Sequence, residues 1–168
     1  MSGFLSIIVR GIGLMWTLLI TALIGNVIAS NNNGPMAAIN FTMFVAALAW
    51  VANLYGIAAA IISSLAIGVV LLALDGLAVL FTFINAIVLA ARLRAPNCGN
   101  IGGANLPSDW IGFGSNDNEK RCREIQASTA FMWFLWVCFC VSFFFSVKEA
   151  RGAFGGSRSG RPNMSQVV

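Results

Sequence analysis

The chain has 168 residues, a formal net charge of +4 and no histidine, and it is 58% apolar against only 10% charged. A soluble globular domain carries nearer a quarter charged residues, so too little polar surface exists here to cover a water-facing globule. The missing histidine also removes imidazole acid–base chemistry and most zinc sites.

The first apolar run covers residues 11–29, directly behind Arg10. A helix needs about 20 apolar residues to cross roughly 30 Å of hydrocarbon, so this run crosses once. Val27-Ile28-Ala29 could pass as a signal-peptide cleavage site, but a run of 19 residues is long for a leader's apolar part. The run is read as a retained span.

Between Pro35 and Arg92 the only charged residue is Asp75. That stretch is too long for one crossing and too short for three. Its most polar central dipeptide, Ser63-Ser64, predicts a tight hairpin, with spans over 36–62 and 65–91; tilt absorbs their extra length. A polar loop over 92–126 follows, then a fourth span over 127–147 and a basic Gly/Ser-rich tail over 148–168. The expected fold is an all-α membrane protein: a bundle of four transmembrane helices in residues 1–147, with both termini on one side.

Which side is less direct. Five basic residues (Arg10, Lys148, Arg151, Arg158, Arg161) belong to the terminal side, and five (Arg92, Arg94, Lys120, Arg121, Arg123) to the long loop. The positive-inside rule is therefore silent. Cys98 and Cys122, the only cysteines outside apolar runs, share the long loop. A disulfide there would persist in an oxidising compartment and, closing about 25 residues, would stabilise by roughly 3 kcal/mol on chain-entropy grounds. Lys148, Arg151, Arg158 and Arg161 suit a tail lying against anionic headgroups of a cytoplasmic leaflet. Both termini are expected in the cytoplasm and the loop outside. The sequons at Asn40 and Asn163 fall against a span and in the tail, and both are expected to be unused.

Asp75 most invites a functional role. No Lys, Arg or His lies within the four spans so drawn, so no ion pair is expected at its depth. A protonated acid is expected instead, hydrogen-bonded to Thr82 on its own face or to Asn26, Asn53 or Tyr55 of a neighbour. Interhelical glue is the favoured role, and a proton or cation site the alternative. Ala52, Gly56, Ala60 and Ser64 repeat every fourth residue and predict a small-residue ridge for close helix packing inside the bundle, with a self-association face as the alternative. Cys138 and Cys140 sit on roughly opposite sides of the fourth span and are read as inert thiols. Trp110, Ile111 and Phe113 either dip into the outer leaflet or pack within the loop. No phosphate-cradling context surrounds Gly99–Gly103, no nucleic-acid module is visible, and no catalytic or metal site is expected.

Several segments then carry a resemblance. They are Asn53-Leu54-Tyr55-Gly56 in the second span, and Leu74-Asp75-Gly76-Leu77 with Phe81-Thr82-Phe83 in the third. Arg94-Ala95-Pro96-Asn97-Cys98 opens the loop, Arg121-Cys122-Arg123-Glu124 closes it, and Gly152-Ala153-Phe154-Gly155 lies in the tail. In order and spacing these resemble the MARVEL-domain tetraspan proteins, and within them the fungal non-classical export protein family. The resemblance implies a non-enzymatic plasma-membrane protein of sterol- and sphingolipid-rich, furrow-like domains, linked to eisosome organisation, lipid sensing and unconventional secretion. It implies membrane lipids, further copies of itself and eisosome scaffold proteins as partners. No cofactor is expected beyond a bound sterol, sphingolipid or phospholipid. The alternative from the residues alone is a small oligomeric channel or proton-coupled carrier using Asp75.

Overall fold

A computed structural model describes residues 2–34, 36–94, 96–103 and 105–155. Four long helices, α1 (Ser2–Ala29), α2 (Ala37–Ile61), α3 (Gly68–Leu93) and α4 (Asn118–Gly155), account for most of it. All four are long and apolar enough to cross a membrane. Short 3-10 turns at Ser63–Leu65 and Cys98–Gly103 lie in the connections.

The chain's local chemistry sets these boundaries. The predicted hairpin is present: α2 stops at Ile61, and Tyr55 donates its hydroxyl proton across the turn to the Leu65 carbonyl at 2.9 Å. Arg94 closes α3 in the left-handed region (φ 58°), donating its N–H to the Ala90 carbonyl, shortly before Pro96. The Asp117 side chain accepts the N–H of Lys120 at 2.9 Å, an N-terminal cap that starts α4 nine residues ahead of the predicted span. At 38 residues α4 is about 57 Å long, well beyond the hydrocarbon core. α1 likewise begins at Ser2 rather than residue 11, so Arg10 lies inside the helix.

α1 packs on α2 and α4, and α3 on the same two, so the helices form a ring whose diagonals are bridged by side chains alone among the described residues. Each helix turns one stripe inward at three- and four-residue spacing, the period of a left-handed bundle. On α1 the stripe is Arg10, Gly13, Thr17, Ile20, Ile24 and Val27. Small residues of α2 (Ala46, Ala49, Ala52) and large ones of α4 (Met132, Leu135, Phe139) belong to one buried core. The outward faces carry exposed Phe4, Leu18, Phe44, Val51, Leu80 and Phe144, an apolar surface suited to lipid.

At the loop end Cys98 and Cys122 are joined by a disulfide with Cα atoms 5.7 Å apart. The Trp110 indole donates to the Leu93 carbonyl at 2.8 Å. Trp110 and Ile111 are buried, so this segment packs on the end of the bundle.

Candidate functional site

At the terminal end the four helices converge on one polar cluster. Arg10 enters from α1, eight residues past Ser2, and Asp75 from α3, seven residues past Gly68. At 1.5 Å per residue both lie roughly 10–12 Å inside their helices. Arg10 Nη1 donates to Asp75 Oδ1 at 3.0 Å and Nη2 to Oδ2 at 2.7 Å, a two-pronged ion pair. Nη1 also donates to the Ala52 carbonyl of α2 at 3.2 Å. Ser146 of α4 donates its hydroxyl proton to Asp75 Oδ2 at 2.6 Å. Arg10 is 2% exposed and Asp75 0%.

This corrects the expectation of an isolated, protonated Asp75. The apolar run was bounded at Arg10 because a charge reads as a helix flank, yet the inward stripe of α1 continues through it. Thr82 is buried but donates to the Ala78 carbonyl of its own helix at 2.6 Å. Asn26 donates to Glu124 at the loop end, and Tyr55 serves the hairpin. Sequence reasoning missed Arg10 and Ser146; the spacing Arg10, Gly13, Thr17 would have shown the first.

Gly56 has a specific task here. A Cβ on it would lie 2.1 Å from Arg10 Cζ, so only glycine admits the guanidinium. Of the predicted small-residue ridge, Ala52 and Gly56 face the interior, whereas Ala60 is exposed and Ser64 lies beyond α2. The inward row instead runs through Ala52, Gly56 and Ala59. Strict four-residue spacing advances 40° per step around a helix of 3.6 residues per turn and drifts off the face. Asn53 is buried beside Gly13, where a Cβ would come 2.9 Å from its Oδ1.

Chemically, the cluster is a clamp. Three hydrogen bonds occupy the two carboxylate oxygens, most of a carboxylate's accepting capacity. A cavity of about 220 Å³ lies beside it, lined in part by Ser6, Arg10, Gly56, Ser146 and Glu149. Arg10 Nε has no partner among the described residues.

The comparisons with known proteins match this architecture. Residues 3–145 match MARVEL, described as a membrane-associating domain. The chain belongs to the MARVEL family. It is 38% identical over 133 residues to Non-classical export protein 2 of Saccharomyces cerevisiae, covering 77% of this chain and 74% of that protein. It is 31% identical to Non-classical export protein 2 homolog 1 of the same yeast, over 95% of this chain and 96% of that one. Non-classical export protein 102 of Candida albicans is 40% identical over 92 residues, 51% of each. No solved structure matches. This MARVEL protein is thus a multi-pass membrane protein similar to the non-classical export proteins over most of its length.

The remaining predicted residues lie apart from the clamp. Lys148 is exposed on α4 with its amine 5.5 Å from the Phe144 ring, and Arg151 is exposed one turn further. Arg158 and Arg161 fall outside the described residues. Cys138 and Cys140 are free and partly buried.

Proposed function

We propose that this MARVEL protein is a non-enzymatic structural tetraspan that organises sterol- and sphingolipid-rich plasma-membrane domains of the eisosome-furrow type by self-association. In this reading both termini are cytoplasmic, Lys148, Arg151, Arg158 and Arg161 hold the tail to anionic headgroups, and the disulfide-bearing loop is outside the cell. Its relatives' names add a contribution to non-classical export. The clamp is the observation that carries the reading. The one acid of the two middle spans is engaged by Arg10 and Ser146 in a contact that ties all four helices, so the interior serves as a frame. The apolar outer faces are then left to act on lipid and on neighbouring copies.

A fluorescent fusion in intact cells tests this: the protein should form patches that disperse when sterol is extracted. A uniform distribution unchanged by extraction would contradict it. Sidedness is separable. An impermeant thiol reagent should label Cys98 and Cys122 of intact cells only after reduction, and labelling of an engineered tail cysteine in intact cells would reverse the orientation.

The cavity beside Arg10 favours a second reading, a proton-coupled carrier with the Arg10–Asp75 pair at the end of a vestibule. Proton flux into vesicles that is present in the parent and lost in Asp75→Asn, with folding intact, would establish it. No flux in either would retire it.

A further inference from the structure

The loop end holds a second buried arginine. Arg121 of α4 is 2% exposed. Its Nε donates to the Ile111 carbonyl and its Nη1 to the Val27 carbonyl, both at 3.0 Å. Among the described residues Nη2 reaches only the Met36 sulfur, at 3.5 Å, and a thioether is a weak acceptor. Among the described residues no carboxylate forms an ion pair with Arg121. Glu124, the nearest acid on its helix, is engaged by Asn26 at 2.6 Å and by Lys120 at 3.9 Å. Glu124 attracts the guanidinium only from a distance, and the cost of burial outweighs that attraction.

A cavity of about 230 Å³ opens beside it, lined by Ile28, Asn31, Met36, Ile39, Asn40 and Arg121. The Asn31 amide gives a proton to the Gly34 carbonyl, and its buried Oδ1 has no donor among the described residues. Ile28 and Asn40 are exposed, and Ile28, Met36 and Ile39 supply the apolar walls. The cavity therefore offers a cationic donor, a free acceptor and hydrocarbon-like walls where α1 ends and α2 begins, the level at which lipid headgroups meet a membrane helix. A second cavity that Arg121 lines also carries Asp117, Glu124 and Lys120, so there the acids already balance the cations.

We propose that this cavity binds a phosphodiester group carrying a neighbouring hydroxyl, the chemistry of an anionic, hydroxylated lipid headgroup. A phosphate oxygen accepts from Arg121 Nη2 in place of the Met36 sulfur, the hydroxyl donates to Asn31 Oδ1, and Ile28, Met36 and Ile39 cover the adjoining apolar part. The site stands whether or not the protein gathers into membrane domains.

The test uses the full chain in detergent micelles containing phosphatidylglycerol or phosphatidylcholine, with lipid retention read by native mass spectrometry and melting read in parallel. Retention of phosphatidylglycerol should exceed that of phosphatidylcholine at least about fivefold. Asn40→Trp, which fills the mouth, should melt like the parent without lipid and lose the preference. Arg121→Gln should lose it too, and if that variant does not fold, Ile28→Trp takes its place. Soluble glycerophosphoglycerol separates the sources. Stabilisation as large as the lipid's assigns the site to a free phosphodiester, and none assigns it to a membrane lipid. Equal retention of the two lipids, or a preference that survives both mouth-filling variants, would overturn the proposal.

Discussion

Arg10 and Arg121 are each 2% exposed, at opposite ends of one bundle, and their charges are met differently. Arg10 sits deep in α1 and faces a carboxylate; Arg121 sits in the first turn of α4 and faces the Ile111 and Val27 carbonyls. The difference follows depth. Well inside a helix that crosses lipid, a lone cation is expensive and pairing with an acid is the usual solution. Near the helix end, backbone carbonyls of the connecting segments are within reach, and satisfying them ties α1, α4 and the long loop together. The terminal end is thus held by charge, and the loop end by hydrogen bonds and the Cys98–Cys122 bond.

The largest expected effect breaks the terminal end. Arg10→Met leaves Asp75 buried without its counter-charge and should cost about 3–5 kcal/mol, read as loss of resistance to denaturant in detergent. Reduction of the Cys98–Cys122 disulfide should cost about 3 kcal/mol by the same readout. Arg121→Gln strands the Ile111 carbonyl or the Val27 carbonyl, for roughly 1–3 kcal/mol. Protease nicking of the long loop should rise in that variant while the terminal end is unaffected.

Gly56→Ala sharpens the comparison. The added methyl overlaps the guanidinium, and overpacking of this kind costs typically about 1–3 kcal/mol. In an Arg10→Met background the penalty should shrink, because the two residues share one space. Ala60→Leu, on the exposed side of the same helix, should stay within about 0.5 kcal/mol.

Much of the architecture is legible in the sequence. Four crossings, the hairpin at Ser63-Ser64 and the shared loop of Cys98 and Cys122 followed from apolar run length and from where polar residues interrupt it. The clamp was not legible by that route, because run length marks a helix end at the first charge. Arg10 belongs to a stripe that continues inward past that mark, and its partner is 65 residues away. The true start of α4 is hidden in the sequence for a related reason. Residues 118–126 are charged and read as loop, yet Asp117 caps them and Glu119–Arg123 and Lys120–Glu124 pair one turn apart. Ser146 gave no signal beyond its place on the stripe from Met132 through Leu135, Phe139 and Ser142.

The central claim is that Asp75 is a fixed structural partner of Arg10, and a double-mutant cycle tests it most directly. Unfolding free energies of the parent, Arg10→Met, Asp75→Leu and the double variant are measured in one detergent. The account predicts that the double variant is more stable than either single variant, since removing both charges leaves none unpaired, with a coupling of at least about 2 kcal/mol. Additive losses, with the double variant the least stable of the four, would contradict it.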